Sequence, residues 1–272
     1  MSPKISIITP SFNQGAYIEQ TIRSVLTQNY ENFEHIVVDG GSTDQTIDIL
    51  RKYPHIIWVS EEDRGQADAL NKGIKMATGE IVGWINSDDY YEPDVFESVS
   101  GFFKDSETMW VVGNLKYVFD LTDEIVFDKS PVVTFDSLVN NPDIVRQQAT
   151  FFRKKILIRA GRWNPELFMV MDFDLWVRLA KISQPNMVDE NWACFRMHAE
   201  QKTSLDNILR QSREIIDILK REQVPERAIW KVYSKKRWYW LKGCTKEFLI
   251  YLGLVNPIYK HRPMRVKSRS GQ

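Results

Sequence analysis

The chain has 272 residues, of which 43% are hydrophobic and 26% charged, a composition typical of a globular protein with a sizeable core. Lysine plus arginine and aspartate plus glutamate number 36 each, so the overall charge predicts no partner. The two cysteines, Cys194 and Cys244, lie far apart without CxxC spacing, which argues against a disulfide framework or a zinc site.

The first hundred residues alternate between short apolar runs and helical patterns, as a parallel α/β sheet requires. Apolar residues at helical spacing predict a helix through Ile18 and Val25, a second helix capped by Thr43, and a third over residues 66–77. Apolar runs predict buried strands at residues 5–9, 35–38, 56–59 and 81–85. This order predicts a Rossmann-like, doubly wound and mainly parallel sheet.

The middle of the chain has a mixed pattern. We expect helices from Lys154 onward and over residues 172–180. An antiparallel extension of the sheet is predicted by apolar runs at residues 110–113, 125–127 and 149–152. From Ser204 onward the pattern is helical, and then aromatic and basic. The chain is therefore expected to form an α/β domain over residues 1–203 and a helical appendage over residues 204–272.

Carboxylates gather where the predicted parallel strands end. They are Asp39, Glu61, Glu62, Asp63, Asp88 and Asp89. Because the carboxyl ends of parallel strands meet at one edge of a sheet, these charges would repel one another unless a cation or hydrogen-bond donors compensate them. A divalent ion with oxygen ligands, Mn²⁺ or Mg²⁺, is the natural candidate. The phosphate-binding patterns GxxxxGK[ST] and GxGxxG are absent, and a metal bridging two phosphates would fill the same need.

Short motifs follow one another along the chain. They are IITPSFN at 7–13, VDGGSTD at 38–44, DRGQADALNKG at 63–73, NSDD at 86–89, QATFF at 148–152 and DFDLWVR at 172–178. In this order, over residues 4–200, they resemble the inverting family 2 glycosyltransferases, which have the GT-A fold.

The resemblance implies a metal-dependent, inverting transfer of a sugar from a nucleoside-diphosphate sugar to a carbohydrate or lipid-linked acceptor, in cell-surface polysaccharide synthesis. It also implies a nucleotide-binding half at residues 1–100 and an acceptor-binding half at residues 101–203. The cofactor would be Mn²⁺ or Mg²⁺, bound to the diphosphate of the donor.

The resemblance assigns donor binding to residues of the first half. These are Pro10, Phe12, Asp39, Asp63, Gln66, Asn71, Asn86 and Ser87. Phe12 with Pro10 would pack against the base, and Asp39 would accept hydrogen bonds from the base or ribose. Asn86 occupies the first acidic position of the family's DxD motif, where it could donate to the ribose or contact a metal-bound water.

Two further roles come from the same resemblance. Asp88, the last position of the DxD motif, and His198 would hold the metal. Asp172 would be the general base, with Asp174 as its competitor two residues on. A sugar hydroxyl has a pKa far above 7, so it needs a carboxylate to take its proton as it attacks, which contributes about 10²–10⁴-fold to the rate.

Each of these residues also has a structural interpretation. Asp39 before two glycines is typical of a turn, and Ser87 with the acids after it suits a helix N-terminus. Asp172 and Asp174 suit the first turn of a helix, and His198 a hydrogen-bonded structural histidine. Two other functions stay open: a nucleotidyltransferase, whose glycine-rich phosphate loop is missing here, and a non-catalytic nucleotide-sugar-binding homologue docked at a membrane, which Asn86 favours.

The C-terminal segment is basic and aromatic. Residues 210–272 contain 16 lysines and arginines against 5 acidic residues, and residues 230–269 interleave tryptophan and tyrosine with lysine. This pattern suits an anionic membrane surface, and a helical appendage that packs its aromatic side chains on the domain is the alternative. No run reaches the about 20 apolar residues of a membrane-spanning helix, and no signal peptide is visible. We expect a cytoplasmic protein, peripheral to the inner face of the cell membrane if the basic segment binds lipid, with no nucleic-acid partner.

Overall fold

The computed structural model describes residues 2–120, 124–198, 201–202 and 207–251. The described strands are β1 (Ile5–Ser11), β2 (Phe33–Asp39), β3 (Ile56–Ser60), β4 (Ile81–Trp84), β5 (Tyr90–Tyr91), β6 (Trp110–Phe119), β7 (Glu124–Asp128), β8 (Thr150–Arg153) and β9 (Asn186–Met197). They form one sheet in the order β3-β2-β1-β4-β8-β6-β9-β5, and β7 pairs with β6. Strands β1 to β4 are parallel, while β8 runs antiparallel to both β4 and β6. The predicted α/β fold, mainly parallel with an antiparallel extension, is confirmed.

The described helices are α1 (Ile18–Leu26), α2 (Thr46–Leu50), α3 (Gln66–Met76), α4 (Val95–Phe102), α5 (Phe135–Asn140), α6 (Lys154–Arg159), α7 (Met171–Ala180), α8 (Ile208–Arg221) and α9 (Glu226–Tyr251). The predicted cap of α2 was wrong. This helix begins at Thr46, three residues after Thr43, and the Thr46 N–H donates to the carboxylate of Asp44 (3.0 Å). The Thr43 N–H instead donates to Oδ1 of Asn13 (2.9 Å) and ties the turn after β2 to the turn after β1.

The centre of the sheet is packed too closely for larger side chains at some positions. Ile8 of β1 is fully buried, and α3 crosses it at Gly73. A Cβ added at Gly73 would lie 2.4 Å from Cγ2 of Ile8, so only glycine lets this helix approach the strand. This close approach places α3 directly against the strands whose ends carry the predicted donor residues.

A stack of three aromatic rings holds α7 on the sheet. Trp176 of α7 lies parallel to Phe152 of β8 and to Trp110 of β6, with ring centroids 5.5 and 5.9 Å apart. All three rings are fully buried. Since Asp172 lies one turn before Trp176, this stack determines where the predicted base lies.

The described part of the predicted appendage packs into the main core. Ile215 and Leu219 of α8 and Ile229 and Val232 of α9 belong to the same hydrophobic cluster as Trp176. Truncation after residue 209 would therefore expose core side chains instead of removing a free appendage. Among the residues described, no helix has both the length and the apolar character needed to cross a membrane. The segment from 252 to 272, which carries part of the predicted membrane-binding pattern, lies outside the described residues.

Two helical glycines provide a matched test of this packing. Replacing Gly73 with alanine should lower the free energy of unfolding by about 1–2 kcal/mol, because overpacking against Ile8 outweighs the gain in helix propensity. Gly101→Ala in α4 should raise it by up to about 1 kcal/mol, because nothing lies within 4 Å of the added Cβ. Urea denaturation of both variants measures the difference, and a stabilising Gly73→Ala would contradict the close packing described.

Candidate active site

A cavity of about 1010 Å³ opens at the carboxyl ends of β1, β2 and β4. This is where open parallel sheets bind ligands. Eight of the residues assigned from the sequence line it: Pro10, Phe12, Asp63, Gln66, Asn86, Ser87, Asp88 and Asp172. Asp39, Asn71 and His198 are not part of its lining. The structure therefore brings the predicted donor, metal and base residues to one cavity, with three exceptions that have identifiable causes.

Phe12 offers an open aromatic surface. Its side chain is 59% exposed although it lies directly after β1, whose residues are buried. The turn around it is held by Asn13, whose N–H donates to Oγ of Ser42 (2.7 Å). An exposed ring on an anchored turn is suited to stacking against a planar ligand.

Asp39 is a turn organiser. Its buried carboxylate accepts hydrogen bonds from the N–H of Ser42 (2.8 Å), the N–H of Gly41 (3.1 Å) and Oγ of Ser60 (2.7 Å). Gly41 has φ +83°, a conformation that favours glycine, and both Gly41 and Gly40 line the cavity. Asp39 thus shapes the cavity wall through this turn and does not itself face the cavity.

Asp63 lies against the same turn. Its Oδ1 accepts the N–H of Gly65 (2.7 Å), and a Cβ on Gly40 would come within 2.9 Å of its Oδ2. Burial raises the pKa of Asp63, and the nearby Asp39 acts in the same direction. A hydrogen-bonding ligand in the cavity would find this carboxylate at the wall.

Both polar atoms of the Asn86 amide form hydrogen bonds within the protein. Its Oδ1 accepts from Nε2 of Gln66 (2.7 Å) and Nε1 of Trp84 (2.9 Å), while its Nδ2 donates to Oδ2 of Asp89 (3.3 Å) and Oε1 of Gln147 (3.2 Å). An aspartate here could not donate these last two bonds, and it would add a charge beside Asp89. The departure from the DxD pattern therefore has a structural reason.

Asn71 is turned away from the cavity. Its Nδ2 donates to the carbonyl of Trp163 (2.7 Å), and its Oδ1 accepts the Trp163 N–H (3.2 Å). Both polar groups of the amide are therefore hydrogen-bonded to backbone that precedes α7. Asn71 therefore joins α3 to the second half of the chain and lies outside the wall that was expected to contact the donor.

Asp89, for which the sequence predicted no role, stabilises the site from within the core. It is fully buried and accepts from Nε2 of Gln148 (2.8 Å) and the N–H of Arg196 (3.1 Å). Burial, and then the charge of Asp88, raise the pKa of Asp89 well above its ordinary value. Of two adjacent acids, one is thus a structural anchor and the other, Asp88, faces the cavity.

Asp88 and His198 form a pair. Oδ2 of Asp88 lies 3.1 Å from Nε2 of His198, whose ring packs 4.3 Å from that of Tyr17. Arg196 donates to the carbonyl of Asp88 (3.1 Å) and also bonds to Gln20. This arginine was missed because it holds Asp88 through the backbone, for which the sequence has no signature.

The pair fits part of a metal site. Among the described residues no three His, Cys, Asp or Glu side chains cluster as ligands, so protein groups alone do not complete one. Mg²⁺ is commonly bound by one or two carboxylates, with substrate phosphates supplying the remaining ligands. Asp88 and His198 are hydrogen-bonded to each other at 3.1 Å, so their polar atoms already converge at one point, and Nδ1 of the buried His198 has no partner among the described residues.

Asp172 and Asp174 lie in very different surroundings. Asp172 reaches the cavity, but the surrounding protein desolvates its carboxyl and raises its pKa to about 6, although the Phe173 N–H donates to it (2.7 Å). Asp174 is fully buried and forms ion pairs with Arg178 (2.6 Å) and Arg221 (2.7 Å). The geometry therefore favours Asp172 over Asp174 as the group that meets a ligand.

The segment before Asp172 is held from α8. The carboxylate of Glu214 accepts three consecutive backbone N–H groups, those of Phe168 (3.2 Å), Met169 (2.8 Å) and Val170 (3.2 Å). All three residues line the cavity. The sequence did not predict this clamp, because the pattern around Glu214 indicates only an amphipathic helix.

The sequence matches the profile of glycosyl transferase family 2 over residues 6–178. An uncharacterized glycosyltransferase of Rickettsia prowazekii is 28% identical over 257 residues, covering 91% of this chain and 78% of that protein. TuaG of Bacillus subtilis, described as a putative teichuronic acid biosynthesis glycosyltransferase, is 43% identical over 101 residues, covering 35% of this chain and 40% of that protein.

Solved structures share the fold. S. aureus TarS 1–349 in complex with UDP-GlcNAc has a TM-score of 0.65 at 20% identity, covering 86% of this chain and 71% of that one. The mannosyltransferase PcManGT from Pyrobaculum calidifontis, in complex with GDP-Man and Mn²⁺, has a TM-score of 0.59 at 18% identity, covering 87% and 70%. Since the family profile spans more than half of the sequence, the chain belongs to glycosyl transferase family 2 and is a glycosyltransferase.

Proposed function

We propose that the chain transfers a sugar from a nucleoside-diphosphate sugar to a hydroxyl of a carbohydrate or lipid-linked acceptor, with inversion at the anomeric carbon. The observation that carries this proposal is that Asp88 and Asp172 line one cavity beside the exposed ring of Phe12. Nucleotide sugars occupy two solved structures of the same fold, UDP-GlcNAc in TarS and GDP-Man in PcManGT. TuaG, by its name, supports a place in cell-surface polysaccharide synthesis.

The donor would bind along the turns after β1, β2 and β4. Phe12 with Pro10 would stack against the base, and Asp63, Gln66 and Ser87 would meet the polar groups of the nucleotide sugar. Asp39 and Asn86 would act by holding the cavity wall in shape, since their hydrogen bonds are made within the protein. Asn71 has no part in donor contact in this proposal.

Asp88 and His198 would hold Mn²⁺ or Mg²⁺ on the donor diphosphate. When bound, the ion supplies a positive charge that stabilises the departing diphosphate by several kcal/mol. Arg196 keeps Asp88 in place through its carbonyl, and Asp89 keeps the neighbouring backbone in place from within the core. PcManGT, which contains Mn²⁺, supports this assignment.

Asp172 would accept the proton of the acceptor hydroxyl. A pKa of about 6 leaves its carboxylate mostly ionised at neutral pH and still close to the operating pH, which suits a general base. The hydroxyl oxygen would then form the new bond to the anomeric carbon as the bond to the diphosphate breaks. One displacement of this kind inverts the configuration, and no carboxylate attacks the sugar.

We also propose that α9 lies on an anionic membrane surface, where a lipid-linked acceptor would be found. Trp230 and Trp238 are 62% and 46% exposed, and Nζ of Lys242 lies 3.7 Å from the ring of Trp238. Tryptophan beside lysine suits the interface between headgroups and acyl chains. Ile229 and Val232 of the same helix pack into the core and hold α9 on the domain.

Replacing Asp172 with asparagine should lower turnover by about 10²–10⁴-fold with donor binding retained, because only the proton acceptor is lost. Release of nucleoside diphosphate measures turnover, and calorimetric titration measures binding. In the wild type, turnover should rise with pH through about 6 and then level off, because the carboxylate is the active form. A fall in turnover of the same size in an Asp174→Asn variant of unchanged stability would contradict the assignment.

The two variants should also differ in stability. The folded state raises the Asp172 pKa from 3.8 to about 6, so it loses stability as pH rises across that range. Asp172→Asn should therefore be more stable than the wild type above this range and no more stable below it. Asp174→Asn, which abandons two arginines, should lose about 2 kcal/mol or more.

The metal assignment predicts that Mn²⁺ strengthens binding of UDP, GDP or dTDP. Asp88→Ala and His198→Ala should each weaken binding in Mn²⁺ by about tenfold or more. Without metal their effect should be small, because the ion carries the contact. Asp48→Ala, which removes an exposed carboxylate of α2, is the control. Equal affinity of the wild type for all three nucleotides with and without Mn²⁺ would sink the metal assignment.

The membrane proposal predicts that the protein floats with vesicles of phosphatidylcholine and phosphatidylglycerol and not with phosphatidylcholine alone. Trp230→Ser with Trp238→Ser should abolish flotation. Ile125→Ser with Phe127→Ser, which removes two exposed apolar side chains of β7, is the matched control. These point variants test the surface without exposing the core, and no flotation by the wild type rules the proposal out.

A further inference from the structure

A small pocket of about 90 Å³ lies beside the main cavity and shares part of its wall. The two share Gly65, Gln66, Phe168 and Lys202. Three cationic side chains, those of Arg64, Lys202 and Arg210, line the small pocket, together with one carboxylate, that of Glu166. We call it the cationic side pocket.

Two of the three cations share one aromatic ring. Nζ of Lys202 and the guanidinium carbon of Arg210 each lie 4.1 Å from the centroid of Phe168. The ring is 40% exposed, so it forms part of the pocket wall between the charges. Cation–π contact with a single ring holds the two side chains near each other in spite of their repulsion.

The carboxylates around the pocket balance these charges incompletely. Arg210 pairs with Glu214 (3.2 Å), but that carboxylate is also the acceptor for the backbone N–H groups of residues 168–170. Arg64 has only a distant partner in Asp68 (3.8 Å), which also faces Lys72 (3.8 Å). With Glu166 counted, three cationic side chains and one carboxylate line the pocket, so the field at its wall favours an anion.

Lys202 is the least compensated of the three. No carboxylate among the described residues forms an ion pair with it. Much of its side chain is exposed, yet desolvation of its ammonium group lowers its pKa, Arg210 adds to this effect, and Asp172 and Glu214 oppose it. Lys202 and Asp172 both line the main cavity, so a group bound to Lys202 would share that cavity with the proposed base.

We propose that the cationic side pocket binds a phosphate or carboxylate group of the acceptor and so presents a neighbouring hydroxyl to Asp172. The inference rests on the proposed function, because it takes Asp172 as the base. It adds the substrate class: an acceptor that carries an anionic group close to the hydroxyl that is glycosylated. A phosphate of a lipid carrier, a phosphate of a polymer and the carboxylate of an acidic sugar share this chemistry.

Binding of small probes tests the pocket. The anionic probes are glycerol 3-phosphate and methyl glucuronide, and the neutral ones are glycerol and methyl glucoside, titrated by NMR into protein freed of metal on a chelating resin so that no metal contributes. The wild type should bind at least one anionic probe about tenfold or more tightly than its neutral counterpart, and equal affinity within both pairs would overturn the proposal. Preference for phosphate alone or carboxylate alone identifies the source of the anion.

Lys202→Gln should reduce that preference, and Lys202→Gln with Arg210→Gln should abolish it. Lys155→Gln with Arg159→Gln makes the same change of charge at exposed positions of α6, outside both cavities, and should keep the preference. Thermal melting confirms that each variant is folded, and Lys202→Gln, a single substitution at an exposed residue, keeps the test informative if the double variant is unstable. An undiminished preference in folded Lys202→Gln overturns the proposal.

Donor binding separates this inference from the proposed function. UDP and GDP with Mn²⁺, and UDP-glucuronate against UDP-glucose, are titrated into the same variants. Unchanged donor affinity in Lys202→Gln supports acceptor binding, whereas loss of donor affinity or of discrimination between the two donors would overturn it in favour of a donor pocket. If the wild type binds no nucleotide but still prefers anionic probes, the proposed function fails while the anion site stands.

Discussion

The site depends on the hydrogen-bond network at the carboxyl end of β4. Asn86 joins Trp84, Gln66, Gln147 and Asp89, and Asp89 continues the network to β9 through the backbone of Arg196. A carboxyl group in this position is costly to bury unless its hydrogen bonds are satisfied, and here three donors reach it. Because the parallel strands and the second half of the chain meet at this network, the cavity exists only when both halves are in place.

The position of α7, which carries Asp172, depends on packing and on an ion pair rather than on a hydrogen-bond network. The stacked rings of Trp110, Phe152 and Trp176 hold α7 on the sheet, and the ion pair of Asp174 with Arg221 holds it to α8. Asp172 lies outside the buried face of α7 and lines the cavity. The rise of its pKa to about 6 is a direct result of this enclosure, so the same packing that places the carboxylate also gives it a pKa that suits the proposed base.

Strands β1 to β4 and helices α1 and α3 could be predicted because each has an apolar run or stripe of its own. Strand β9 could not, since its first half is polar and exposed, and it owes its order to pairing with β6. The candidate site divides in the same way. Motif position indicates Phe12, Asp88 and Asp172, whereas the orientation of Asn71 depends on Trp163, 92 residues away, and that of Asp88 on Arg196, 108 residues away. No local pattern encodes partners at such separations.

The clamp formed by Glu214 has a consequence for how the enzyme is made. Glu214 holds the backbone before Asp172, and Arg221 neutralises Asp174 in the turn that follows. A nascent chain that has emerged only as far as residue 207 contains every group assigned to donor, metal and proton transfer, but not the helix that holds the base segment. The backbone before Asp172 therefore gains its hydrogen-bond acceptor only after α8 has been synthesised, although every sequence motif precedes that helix.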